Sequence, residues 1–187
     1  MLSLWKVGSS MKATGIVRRI DDLGRIVVPK EIRRTLKLRE GDPMEIYTAE
    51  GGIVMLRKYS PLQNIASQAD EYVKIISNLL GNVVFLCDKD QILAVAGTAK
   101  EEYVGKTISP FIEQQLESRQ IVHHESPANI EIKINEPIST NGYIIVPINA
   151  NGDVLGSVII VINGSPVQKE SVGALQAIVE MIALQYE

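Results

Sequence analysis

The sequence has little of several residue types that small proteins use for covalent or metal stabilisation. Its 187 residues include one cysteine and two histidines, so an intramolecular disulfide is excluded, which fits a reducing compartment. Residues 1–60 contain neither Cys nor His, which excludes a zinc-type site there. No apolar run reaches the roughly 18 residues that a membrane-spanning helix needs. We therefore expect a cytoplasmic protein with no membrane contact and no structural metal.

The sequence also lacks the patterns that mark common catalytic sites. It has no Gly-rich phosphate loop, no zinc-ligand spacing and no nucleophile elbow. His123 and His124 are adjacent, so in an extended segment their side chains point to opposite sides and do not easily chelate one metal. Cys87 lies within an apolar segment, which indicates a buried structural thiol. We therefore expect no catalytic residues, no metal site and no cofactor, in a protein that is not an enzyme.

Charge is distributed unevenly along the chain, whose formal net charge is −3. Residues 1–60 carry twelve Lys and Arg against seven Asp and Glu, whereas residues 61–187 carry seven against fifteen. The first part therefore has a net charge of +5, equal to that of residues 11–38 alone. Such a local excess is the electrostatic footprint of a protein that binds a polyanion, most simply duplex DNA. The pattern predicts a basic binding module joined to an acidic partner domain.

Residues 11–60 have the pattern of a small unit of strands around one short helix. Pro29 suits the first position of a helix, because its missing N–H would be unpaired there. The predicted elements are strands at 13–20 and 25–28, a helix at 30–38, and a hairpin of Met44–Ala49 and Ile53–Lys58. A core this small is usually marginal without metal, disulfide or oligomerisation. We therefore expect at least a dimer whose chains share one core.

A long ordered match to a known family indicates which type of domain this unit is. The stretches that carry it are MKATGIVRRIDDLGRIVVPKEIRRTL, GDPMEIY and LRKY. Through them, residues 11–58 resemble the AbrB-type transition-state regulator domain. The resemblance implies a swapped-hairpin β-barrel, formed by an obligate intertwined dimer that binds double-stranded DNA through basic residues. On the matching positions these are Arg18, Arg25, Arg33 and Arg34, with Arg19 and Lys12 nearby.

Two helical segments carry apolar residues at heptad spacing. In the segment 60–80, which Gly81 ends, they are Leu62, Ile65, Ala69, Tyr72, Ile76 and Leu79. In the terminal segment 166–187 they are Val172, Leu175, Val179 and Ile182. The first helix can lie on its own domain, or it can pair with the same helix of another chain and carry geometry between the two halves. We predict that both stripes contribute to oligomerisation.

The acidic half has the pattern of an antiparallel five-stranded sheet with flanking helices, an α+β sandwich. Strands are predicted at 82–88, 91–96, 130–134, 142–148 and 154–162, and a helix at 109–119 with Ser109 as its N-cap. With its N-G-D-x-x-G-x-V turn and strand, this half resembles a GAF domain, a common small-molecule sensor fold. The residues Phe85, Cys87, Tyr103, Phe111, Ile112 and Tyr143 can line a ligand pocket or can simply be core.

We expect four parts in the chain: a disordered leader at 1–10, a DNA-binding domain at 11–60, a linking helix at 61–81 and a GAF-like domain at 82–187. From residue 11 to the end, the chain resembles sporulation regulators that join these two domains. The resemblance implies a transcription factor, an activator or a repressor, whose DNA-binding dimers form a tetramer through the acidic domains. One alternative is an antitoxin-like interaction module of the same barrel class; another is a small enzyme built on the acidic domain.

Overall fold

A computed structural model describes residues 14–186 of the chain. The chain divides into two compact units, Met1–Lys58 and Tyr59–Glu187. The expected leader at 1–10, the start of the first predicted strand and Lys12 lie outside the described residues. The expected boundaries at 60, 61 and 81 remain predictions, but the helix expected to link two domains belongs to the second unit.

The described part of the first unit contains one short helix, α1 (Lys30–Thr35), and one hairpin of strands β1 (Met44–Ala49) and β2 (Ile53–Lys58). The strands pair antiparallel along their whole length. Gly51 and Gly52 lie in the hairpin turn with φ of +80° and +73°, a conformation that costs residues with a Cβ free energy. The predicted hairpin therefore has the bounds that alternation and turn chemistry indicated.

Two predictions for the first unit need correction. Within the described residues, the segments 14–20 and 25–28 form no strands, because a strand needs a backbone partner and this single chain supplies none there. The helix ends at Thr35 rather than at residue 38. Its end is set by Lys37, which has a left-handed φ of 51°, and by the Leu38 amide, which donates to the Arg33 carbonyl at 2.7 Å.

The second unit is built on a five-stranded antiparallel sheet. Its strands and a separate hairpin are, in chain order, β3 (Val83–Asp88), β4 (Ile92–Ala96), β5 (Val122–His124), β6 (Ala128–Lys133), β7 (Glu136–Thr140), β8 (Tyr143–Ala150) and β9 (Asp153–Val161). The sheet order is β4-β3-β9-β8-β5, and β6 pairs with β7 outside it. The predicted number of sheet strands is confirmed, but the strand predicted at 130–134 belongs to the hairpin. The fifth sheet strand is β5, whose three residues are too few to show alternation.

Helices cover both faces of this sheet. On one face, α2 (Ala66–Leu80), preceded by a 3₁₀ turn, and α4 (Lys169–Ala183) pack on a large apolar core. On the other face, α3 (Pro110–Ser118) and β6 enclose a second core. The Ser109 hydroxyl accepts a hydrogen bond from the Ile112 amide at 3.2 Å, so the predicted N-cap of α3 is confirmed.

The heptad stripes lie mostly inside this domain, which corrects their assignment to oligomerisation. The buried members are Leu62, Ile65, Ala69, Ile76, Leu175, Val179 and Ile182. Tyr72 and Val172 are partly buried against the same core, and Leu79 is 60% exposed. Over two or three helical turns, a stripe that faces a sheet and a stripe that faces a partner helix have the same spacing. The sequence pattern therefore could not distinguish the two.

Candidate nucleic-acid interface

The five described arginines of the predicted DNA surface lie in two short segments, and all are exposed. Arg18, Arg19 and Arg25 flank the turn at residues 21–24. Arg33 and Arg34 form the basic last turn of α1, where Glu31 occupies the first turn. This order of charges is favourable for the helix dipole.

Most of these arginines have no acidic partner among the described residues. No ion pair forms there with Arg18, Arg19, Arg33 or Arg34, while an Arg18 η nitrogen donates to the Val17 carbonyl at 3.0 Å. Their charge is therefore available to an anionic partner. Lys12, the sixth predicted contact, lies outside the described residues.

Arg25 differs because the carboxylate of Asp21 holds it. Its Nε donates to Asp21 Oδ2 at 2.8 Å, and its backbone N–H donates to Oδ1, also at 2.8 Å. Oδ1 accepts a further hydrogen bond from the Leu23 amide at 3.1 Å. The backbone and side-chain hydrogen bonds from Arg25 lower the pKa of Asp21, so the carboxylate is charged at neutral pH. The sequence indicated Asp21 as a turn former only.

The basic residues of the hairpin are paired with carboxylates. Arg57 contacts Glu45 Oε2 at 3.2 Å and lies 5.4 Å from the centre of the Tyr47 ring. Lys58 pairs with Asp42 at 3.2 Å in a largely buried contact. The positive charges of Arg57 and Lys58 are therefore balanced by carboxylates of the same unit.

The first unit also exposes an unusual amount of apolar surface. Residues that are more than half exposed are Val17, Ile20, Leu23, Ile26, Val27, Leu36, Ile46 and Val54. Among its described residues, the burial pattern shows one buried position, Pro29. The described residues of this unit therefore do not close a core within the single chain, as its small size predicted.

The four aromatic residues of the predicted ligand pocket belong to the core beneath α3. Phe85 is completely buried, and its ring meets that of Tyr103 edge to face at 5.1 Å. Phe111 and Tyr143 form a second edge-to-face pair at 6.0 Å. Lys133 Nζ covers the Tyr103 ring at 4.6 Å from its centre. Phe85 is a core residue and the other three rings are partly buried against the same core, which favours the core interpretation over the pocket interpretation.

A shallow cleft lies elsewhere on the second unit, at the edge of the β6–β7 hairpin. Its volume is about 450 Å³. The lining residues are Pro127, Ala128, Asn129, Ser139, Thr140, Asn141 and Asn163. The hydrogen-bonding groups among these are uncharged amides and hydroxyls. None of these positions was indicated by the sequence, since polar residues beside turns are ordinary.

The surroundings of two further titratable residues, Cys87 and Asp88, indicate structural roles. Burial raises the pKa of the Cys87 thiol, which removes its nucleophilic form at neutral pH. Asp88 Oδ1 accepts from the amides of Asp90 and Gln91, and Oδ2 accepts from the Ser60 hydroxyl at 3.0 Å. The part of the chain that the structure describes contains no group of three metal-ligating side chains. No described helix is both long and apolar enough to cross a membrane.

Comparison with known proteins relates both units to characterised families. A family model described as stage V sporulation protein T C-terminal, transcription factor, matches residues 64–185. A second model, described as antidote-toxin recognition MazE, bacterial antitoxin, matches residues 17–64. Stage V sporulation protein T of Bacillus subtilis (strain 168) is 46% identical over 150 residues, which cover 80% of this chain and 84% of the relative.

A shorter relative matches the first unit. The transition state regulatory protein AbrB of Bacillus subtilis (strain 168) is 55% identical over 51 residues, which cover 27% of this chain and 52% of that protein. This match supports the AbrB-type assignment of the basic unit.

Solved structures relate the larger unit to the GAF fold. The GAF domain of an Acinetobacter phosphoenolpyruvate-protein phosphotransferase is 12% identical, with a TM-score of 0.53 over 64% of this chain and 80% of that one. The second GAF domain of DevS from Mycobacterium smegmatis is 15% identical, with a TM-score of 0.51 over 65% of this chain and 91% of that one. The family model spans more than half of the chain. The chain therefore belongs to the stage V sporulation protein T family of transcription factors, and it joins an AbrB-type domain to a domain with the GAF fold.

Proposed function

We propose that this transcription factor regulates sporulation genes by binding duplex DNA through the exposed arginines of its first unit. The observation that carries the proposal is that Arg33 and Arg34 are exposed on α1 and have no acidic partner among the described residues. Guanidinium groups in this state can form charge-assisted, bidentate hydrogen bonds to phosphates or base edges. A protein that acts on the genome of a bacterium works in the cytoplasm, where we place this one.

The exposed apolar residues of the first unit support a dimer as the binding species. Val17 is 84% exposed and Val27 is 72% exposed. Large β-branched side chains at such exposure favour burial against a partner, at about 25 cal/mol per Å² of apolar surface removed from water. A second chain that contributes the same segment would supply both the missing core and the backbone partners for residues 14–28.

A second interface is needed to assemble dimers into a tetramer, and the outer faces of α2 and α4 support one. Ile75 and Leu79 on α2, with Met181 on α4 and Leu184 just after it, are each more than half exposed. These residues replace the buried stripes as the proposed oligomerisation surface. The GAF-type unit then has two roles, which are to hold DNA-binding dimers together and to modulate them.

The packing of the aromatic core limits how a small molecule can bind to the second unit. A small molecule at the predicted site has to displace Tyr103 from Phe85 and from Lys133. We therefore propose that any ligand of the second unit binds with movement of Tyr103, and that the unit is closed without it.

One alternative has an observation in its favour. The MazE model matches residues 17–64, which fits the antitoxin-like interaction module. Antitoxins of this class usually bind their toxin through a disordered tail, whereas residues 83–186 here form a sheet with helices on both faces. We therefore favour DNA-binding regulation over toxin neutralisation.

A titration of the full-length chain against fluorescent duplex DNA tests the proposal. The variant Arg33→Ala/Arg34→Ala should bind at least tenfold more weakly, because each lost phosphate or base contact contributes about 1 kcal/mol or more. Lys89→Ala/Lys106→Ala is the matched control, since it removes two exposed positive charges from the acidic unit. Equal affinity of both variants and the wild type would refute the assignment of DNA contacts to α1.

A further inference from the structure

One carboxylate in the first unit has two separate tasks. Asp21 Oδ1 accepts the backbone N–H groups of Leu23 and Arg25, at 3.1 and 2.8 Å, and thereby closes the turn. Asp21 Oδ2 accepts the side-chain Nε of Arg25 at 2.8 Å. The turn itself needs only the first oxygen. The second oxygen acts on an arginine that the proposed function places at the DNA.

The geometry of this contact determines which donors of Arg25 remain. A guanidinium group has five N–H donors in a fixed plane, one on Nε and four on the two η nitrogens. The contact occupies Nε, and the four η donors have no acceptor among the described residues. The Arg25 side chain is 68% exposed, and the carboxylate of Asp21 holds it at Nε. The arginine is therefore held at one edge and free at the other.

We propose that Asp21 is a positioning residue that orients Arg25 for sequence discrimination on DNA, an inference that rests on the proposed function. A free arginine supplies positive charge to any phosphate. An arginine held through Nε presents its two η nitrogens in one direction, as needed for the paired acceptors of a guanine edge. Holding the side chain before binding also lowers the entropy that is lost when the contact forms.

The proposal predicts an effect opposite in sign to simple electrostatics. Asp21→Asn removes a negative charge from a DNA-binding surface, so general attraction to phosphates should strengthen. Loss of orientation should instead weaken binding to the preferred sequence. Asn also keeps the Oδ1 acceptor, so the two backbone hydrogen bonds of the turn can persist while the contact to Nε is lost.

The experiment uses the full-length chain and two duplexes of equal composition. One is enriched from a random pool by the wild-type protein, and the other is its scrambled counterpart. The ratio of the two affinities should fall about fivefold in Asp21→Asn, the lower end of what a well-oriented arginine contact contributes. Asp22→Asn is the control, because it makes the same charge change at the next, exposed residue. It should leave the ratio unchanged.

A double-mutant comparison separates positioning from folding. In the Arg25→Ala background, Asp21→Asn should reduce the ratio no further. A further reduction there would mean that Asp21 acts through the fold and would overturn the proposal. An unchanged ratio in Asp21→Asn, with a reduced ratio in Arg25→Ala, would also overturn it while leaving the proposed function intact. If Arg25→Ala and Arg33→Ala/Arg34→Ala all bind as wild type does, the proposed function itself fails.

Discussion

The ammonium group of Lys100 forms an ion pair with the carboxylate of Asp70 on helix α2. The same loop carries Tyr103, whose ring packs on Phe85 and lies under Lys133. The loop therefore connects α2, on one face of the sheet, with the aromatic core on the other face. Because α2 follows the DNA-binding unit in the chain, we predict that packing of the aromatic core affects DNA binding through this connection.

Breaking the ion pair should alter DNA affinity more than stability. Both side chains are more than a third exposed, and exposed pairs contribute little to folding. Loss of a pair that contributes up to about 1 kcal/mol corresponds to at most about fivefold in affinity, the low end of typical coupling between sites, so we expect Lys100→Ala to change the Kd for DNA by up to about fivefold with little change in Tm. Fluorescence anisotropy and thermal melting measure the two. Lys89→Ala is the control, and equal Kd values for both variants would refute coupling through this loop.

The salt dependence of DNA binding should show directly whether Arg33 and Arg34 contact phosphates. Each phosphate that is neutralised contributes roughly −0.9 to the slope of log K against log salt concentration. The slope for Arg33→Ala/Arg34→Ala should therefore be shallower by about 2 when both residues contact phosphates. Affinities measured between low and moderate salt give the slopes. A variant with weakened binding and an unchanged slope would place these arginines on bases or in the fold instead.

Substitutions on the outer faces of α2 and α4 should change the oligomeric state, whereas a substitution on the other side of the sheet should not. Leu79→Glu/Met181→Glu places two charges on the proposed second interface, where burial of unpaired charge is costly. The full-length chain should then sediment as a dimer instead of a tetramer. Gln114→Glu, at an exposed position of α3, is the control and should keep the wild-type assembly. A tetrameric double variant would show that these residues lie outside the interface.

The buried stripe of α2 should matter to folding of the domain itself. Ile76 is 1% exposed, and truncation of a buried isoleucine to alanine costs about 2–5 kcal/mol. Denaturant unfolding of Ile76→Ala should therefore show a much lower free energy of unfolding. Leu79→Ala, three residues further along the same helix and 60% exposed, should cost far less. Similar losses in both variants would contradict the assignment of the stripe to the core.

The buried carboxyl of Asp88 should make stability depend on pH. Burial raises the pKa of Asp88, against the lowering effect of hydrogen bonds from Asp90, Gln91 and Ser60. The folded state therefore binds the proton more tightly than the unfolded state, and the free energy of unfolding falls as pH rises from the unfolded pKa, about 3.9, through the raised folded value. Asp88→Asn should remove this part of the dependence and stabilise the protein at neutral pH. Identical pH profiles of unfolding would contradict it.

Local chemistry allowed several elements to be predicted closely. The bounds of β1 and β2 follow from alternation around a Gly-Gly turn, and the start of α3 follows from Ser109 and Pro110, because turn and cap preferences depend on a few neighbouring atoms. The end of α2 was predicted in the same way from Gly81, which has a left-handed φ of 64°. The short strand β5 was not predicted, because three residues give too few repeats for a period to be recognised.

The sequence by itself determined the division into a basic and an acidic part, the β1–β2 hairpin and the main helices, and the family motifs from which the arginines are proposed as DNA contacts. These properties depend on residue type and spacing, which are local. Only the tertiary structure decided which face of α2 is buried, that the aromatic residues fill a core, and that Asp21 holds Arg25 as well as its turn. Each of these depends on which surfaces meet in space, and equal spacing along a helix or loop is compatible with more than one partner.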